Sequence, residues 1–375
     1  MRARICSLMI RRLLTRSPWP LSCLVLLPFV LWTSWVQDRG MRADLVDRGL
    51  LEYWVHGLFE PWSWVPFIHP PLYPSFMNAT DFYAGWFDVP VATVMIVHAA
   101  VAQCLVVVFV AWFFARNFGS PCALLAASLV AFSPNWVRPF ENYPLGTTLC
   151  ALAMIACLGL ARTGTKSSMA VAVFAVLAAV ELHLSNWFAI GGFMAGMFFL
   201  VAGRRKIAVV ASIAMIGLFL LSTYPGLYQV LAEGPDADAD ATRGSVTMEW
   251  TNPLLYVPLL LWLLPGMIRR FPVGAAVALG GALFSAVSFG LQHYQLADGQ
   301  PYPYSLHYFE LVDPVLCMGA ALALKTAYSA TERPALRRCI VVFSLVLVAS
   351  QLGLFWYGQR FVWPPPHSFL QVAWP

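Results

Sequence analysis

Apolar runs recur along the whole 375-residue chain and are seldom interrupted by charge. Inside about 30 Å of hydrocarbon a backbone must satisfy its own hydrogen bonds, so a run of about twenty apolar residues has to be a helix. Such runs fall at 18–36, 91–114, 122–137, 145–161, 169–185, 187–203, 207–226, 253–268, 272–291, 311–327 and 339–357. They predict an all-α polytopic membrane protein with about eleven transmembrane helices. With 60% hydrophobic and only 11% charged residues, a soluble globular domain, in which about 25% of residues are charged, is excluded.

Charge gives the expected orientation, because Lys and Arg are retained on the cytoplasmic side of membrane helices. A cytoplasmic N-terminus puts 17 of the 23 basic residues in inner segments and leaves six outside: Arg39, Arg42, Arg48, Arg138, Arg243 and Arg360. Of the 18 acids, only Glu332 falls in an inner loop. The net charge of +5 therefore reports orientation, and no basic patch or motif points to nucleic acid. The basic stretch Met1–Ser17 and the apolar run behind it read as an uncleaved first helix. All eight cysteines lie in the N-terminal tail or within spans and their edges, where they pack as small apolar residues and form no disulfide framework. The expected location is a bacterial inner (plasma) membrane, with the functional loops extracytoplasmic.

The outer loops are the long ones, at 37–90, 227–252 and 292–310, so chemistry is expected on that side. The chain divides into a membrane module over 1–226 and C-terminal transmembrane helices over 227–375. In the first outer loop Asp44, Arg48, Glu52 and His56 recur every four residues among Leu45, Leu51, Trp54, Val55 and Phe59. That period predicts a helix lying in the interface with its apolar face down. Trp62, Trp64 and Trp86, with a series of prolines, then return the chain to the second span. Asp236, Asp238 and Asp240 alternate in a low-complexity stretch without the glycine and glutamate of a calcium loop, and read as a solvated tip.

Asp38 stands two residues past the first span, and His69-Pro70-Pro71-Leu72 precedes the second. With Asn142-Tyr143-Pro144-Leu145 after Glu141, these residues resemble C-type (GT-C) glycosyltransferases, the superfamily of protein O-mannosyltransferases and lipid A aminoarabinose transferases. The resemblance covers roughly the first 200 residues. It implies an acid just after the first helix, an interfacial helix, a proline turn before the second helix, and sugar transfer from a polyprenyl-phosphate-linked donor to a glycan, lipid or protein acceptor. Where that superfamily carries a second acid, this chain has Arg39.

The residue types fit such a reaction, which needs a base for the acceptor hydroxyl and cations for the departing phosphate around an oxocarbenium-like transition state. Asp38 at a helix exit suits the base, and is otherwise an ordinary interfacial acid. Arg138 in a short turn suits a lipid phosphate, or pairs with Glu141. His69 is a candidate phosphate or metal contact, although its two prolines alone account for the turn. Glu181 and His183 form a polar cluster where hydrocarbon begins, suited to substrate or to a helix-to-helix hydrogen bond. His307, beside Tyr302, Tyr304 and Tyr308, suits stacking on a sugar or an aromatic belt. No zinc spacing occurs, so the sequence points to no particular cofactor, and a divalent metal is allowed without being implied. Two other classes compete: a noncatalytic scaffold subunit, favoured by Arg39, and a transporter or flippase. The second is disfavoured because His98, Glu181 and Asp313 lie near the outer ends of their spans rather than at mid-membrane.

Overall fold

A computed structural model describes residues 26–31, 82–89, 91–133, 143–163, 165–182, 251–270 and 309–357, together with isolated helical positions at 209, 213, 272, 275 and 279. Among the described residues all regular structure is helical. Seven long helices carry it: α1 (Val91–Phe118), α2 (Ser120–Ala131), α3 (Tyr143–Thr163), α4 (Lys166–Leu182), α5 (Thr251–Arg270), α6 (Phe309–Ala330) and α7 (Pro334–Tyr357). Each falls on a run read from the sequence as a span. Within the spans expected at 18–36, 207–226 and 272–291 only a helical stretch or isolated positions are described, and 187–203 lies outside the described residues.

α1 runs 28 residues with Arg116 as its one charged side chain, a length of about 42 Å at 1.5 Å per residue. It ends because Gly119 takes φ 90° and ψ 164°, a backbone region essentially closed to side-chain-bearing residues. Pro121 follows in the first turn of α2, where a missing N–H costs nothing, and the Ala123 amide donates to Gly119 O at 3.1 Å. The span expected at 122–137 is cut short: α2 stops at Ala131 after 12 residues, about 18 Å and less than a crossing needs. Pro134 gives the local reason, since a proline drives the residue before it, here Ser133, out of the helical region.

The turn between α3 and α4 is a reciprocal cap. The Ser168 amide donates to Thr165 Oγ1 at 3.2 Å, the Thr165 amide donates to Ser168 Oγ at 3.1 Å, and Thr163 Oγ1 donates to Ser168 Oγ at 2.8 Å. Serine here does the work that glutamate does in the usual capping box.

α6 is the central helix. Every residue from Pro314 to Leu324 is buried, as expected of a helix apolar all round its circumference. It packs against α2, α3 and α5 and touches α7, while α1 pairs with α2 and α3, and α3 with α4. In hydrocarbon, burying Leu away from lipid gains little, so helices associate through small residues that permit close approach. The contacts follow that rule: Ala123, Ala126, Ala127 and Ser128 of α2 and Ala320, Ala321 and Ala323 of α6 are all buried. Cys122 Sγ lies 3.7 Å from Ala321 O, and Cys317 Sγ lies 3.5 Å from Leu129 O, both as donors across this seam. The residues at 26–31 join the same core through Leu26 and Val30, with Phe29 edge-on to Phe132 at 4.9 Å.

Among the described residues two stretches, Ala100–Phe118 and Pro334–Leu354, are long and apolar enough to cross a membrane. The α7 stretch is only 11% buried, and Val342, Phe343, Leu345 and Val346 stand exposed on it. A helix this apolar and this uncovered requires a nonaqueous surrounding, which makes the chain a membrane-associated helical protein.

Candidate functional site

The packing seams fix helix directions, and directions sort the charges. Cys122 meets Ala321 and Leu129 meets Cys317, so α2 runs antiparallel to α6 and α1, joined to α2 at Gly119, runs parallel to α6. The end where α1 and α6 begin carries Asp88, Glu310 and Asp313. The opposite end carries Arg116 of α1, Lys325 of α6, and Arg333, Arg337 and Arg338 at the start of α7, with Glu332 as its acid. The described bundle therefore has an acid-bearing end and a cation-bearing end.

The acid-bearing end is where the first long loop re-enters the bundle. Residues 82–87 form a short helix closed by Asp88, whose φ of 51° is left-handed. The Val89 amide donates to Ala84 O at 3.0 Å and the Asp88 amide to Gly85 O at 3.4 Å, the paired bonds of a Schellman stop, in which aspartate replaces the usual glycine. On this helix Ala84 is buried, while Phe82, Tyr83, Trp86 and Phe87 are exposed. Phe82 meets Trp86 edge-on at 5.8 Å, and Trp86 stacks on Phe87 at 6.0 Å with planes 13° apart. Trp86 was legible in the sequence as an aromatic boundary residue; its neighbours were missed because the alternation of Phe82, Tyr83, Trp86 and Phe87 spans less than two helical turns.

Of the residues singled out from the sequence, Glu181 lies in the last turn of α4. Asp38, His69, Arg138, Glu141, His183 and His307 lie outside the described residues. Among the described residues no three His, Cys, Asp or Glu side chains converge as metal ligands. His98 falls in the early turns of α1 and is partly buried.

Sequence reading missed the polar residues inside the bundle. Gln103, Thr148, Thr326 and Gln351, from α1, α3, α6 and α7, are each at most 3% exposed. Thr326 Oγ1 donates to Leu322 O at 2.8 Å within its own helix. Polar side chains buried among membrane helices act as packing hydrogen-bonders, and the only sequence signal for them is an isolated polar residue within an apolar run.

No family model matches the chain, and no curated protein matches it. Among solved structures it is similar to that of the Archaeoglobus fulgidus oligosaccharyltransferase tethered through a disulfide bond to an acceptor peptide containing the NVT sequon. The TM-score is 0.46 and the identity 13%, over 79% of this chain and 47% of the other. The chain thus spans about half the length of that oligosaccharyltransferase, and a likeness at this level assigns it no family, donor or acceptor.

Proposed function

We propose that the chain is a membrane glycosyltransferase that moves a sugar from a polyprenyl-phosphate-linked donor to a hydroxyl-bearing acceptor at the extracytoplasmic face. The observation that carries this reading is the spacing of Asp38, just past the first apolar run, from His69-Pro70-Pro71-Leu72, just before the second, in an apolar chain whose described residues form helices. Asp38 takes the proton of the acceptor hydroxyl as its oxygen bonds to the anomeric carbon; the bond from that carbon to the donor phosphate breaks, and the electron pair leaves with the phosphate. Arg138 offers paired N–H donors to that phosphate, and His69, Glu141, Glu181, His183 and His307 are the proposed substrate contacts. A divalent cation at the phosphate is compatible with this chemistry.

Asp38→Asn is expected to lower consumption of a lipid-linked sugar donor by a factor of at least about 100, the lower end of what one general base contributes, with folded protein recovered in normal yield. Donor turnover unchanged by that substitution removes the mechanism. Arg39, where a second acid is expected from the resemblance, favours the reading of a noncatalytic subunit. Those two readings separate on donor binding: a scaffold binds no polyprenyl-phosphate sugar, and the enzyme binds it with or without the Asp38 carboxylate.

A further inference from the structure

The cation-bearing end of the bundle has features that the proposed chemistry does not use. A Cβ at Gly266 of α5 would lie 3.4 Å from Thr326 Cγ2 of α6. Gly266 and Thr326 each lie four residues from the end of their helix, and α5 and α6 pack extensively, which a parallel alignment permits and an antiparallel one, overlapping only at the tips, does not. Four residues of helix beyond Gly266 and beyond Thr326 advance each chain by about 6 Å. Arg269 and Arg270 therefore come level with Ala330 and the turn that begins α7.

That turn is built around Arg337. Its Nε donates to Thr331 O at 2.9 Å, its guanidinium lies 5.4 Å from the centre of the Tyr328 ring, and its amide donates to Arg333 O at 3.1 Å. One donor of five is used, so a held guanidinium keeps its Nη groups for an acceptor. Arg269, Arg270, Arg333 and Arg338 are exposed. Five arginines and Glu332 thus share one edge, a net charge four units positive (5 − 1 = 4). Directly beyond them on α7, Val341, Val342 and Leu345, three, four and seven residues past Arg338, form an exposed apolar face.

We propose that this edge, from the last turn of α5 across the α6–α7 turn, is a binding site for an anionic phospholipid, with the phosphate among Arg333, Arg337 and Arg338 and the acyl chains along α7. Charge complementarity selects an anion, and the continuous apolar face selects a lipid over a free phosphate. Near a membrane surface each basic residue strengthens attraction to anionic lipid about fivefold. The assignment is independent of the glycosyltransferase reading, which uses none of these residues.

The test uses the full-length protein in mixed micelles with equal phosphatidylglycerol and phosphatidylcholine, with bound lipids counted by native mass spectrometry. Wild-type protein is expected to retain phosphatidylglycerol preferentially, Arg333→Gln/Arg338→Gln to lose that preference by about 25-fold, and Arg333→Lys/Arg338→Lys to keep most of it. An absence of preference in wild type overturns the proposal, as does a glutamine double variant that folds and retains phosphatidylglycerol as wild type does. Displacement of the lipid by equimolar glycerol phosphate also overturns it, since that places all recognition in the headgroup. Should the glutamine variant fail to fold, the wild-type preference and its retention in the lysine variant decide the matter.

Discussion

Replacing Gly119 by alanine isolates a backbone effect from a packing effect. At φ 90° and ψ 164° a residue with a side chain costs about 1–3 kcal/mol. A Cβ at this position meets no atom within 4 Å, so no clash adds to that figure. Alanine also restricts the unfolded chain, which returns about 0.4–1 kcal/mol. The net expectation for Gly119→Ala is a loss of about 0.5–2 kcal/mol, roughly two- to thirtyfold in the folding equilibrium. Gly266→Ala is the control with the opposite sign: Gly266 is inside α5, where alanine gains about 0.5–1 kcal/mol, and its methyl reaches ordinary contact with Thr326 Cγ2 at 3.4 Å. Reversible unfolding in mixed detergent micelles, followed by circular dichroism, measures both. A Gly119→Ala protein as stable as wild type, or a Gly266→Ala protein that loses more than Gly119→Ala, refutes the reasoning.

Thr165→Ala removes one half of the reciprocal cap on α4 and is expected to lower stability by about 1 kcal/mol; the same unfolding measurement reads it, and a neutral outcome means water replaces the cap. Ala126→Leu forces a larger side chain into the fully buried α2 surface and is expected to cost about 1–3 kcal/mol, measured as a lowered Tm, with an unchanged Tm showing the seam to be loose. Single cysteines placed by Asp88→Cys and Arg333→Cys in a cysteine-free background are expected to react with an impermeant maleimide from opposite sides of sealed vesicles. Labelling of both from one side contradicts the charge-sorted ends.

Much of the helix content was readable from the chain because hydrocarbon leaves the backbone no alternative, and seven of the expected spans coincide with α1 to α7. Boundaries were less legible. α7 begins at Pro334, five residues before the expected 339, because proline suits a first turn and the expected bound marked where the apolar run begins, which is not where the helix begins. The candidate site was read from Asp38, His69 and Arg138, and tertiary structure adds nothing to them, since they lie outside the described residues.

The sequence by itself determined that the chain is helical, membrane-bound and polarised in charge, because solvation by lipid and retention of cations act on each segment separately. Only the tertiary structure decided that α6 is central and that Arg269 and Arg270 come level with the α6–α7 turn. Those facts depend on which small residues let two backbones approach. Buried alanines such as Ala126 and Ala320 look like any other alanine in an apolar run, and contact across nearly 200 residues, as between Cys122 and Ala321, has no local signature.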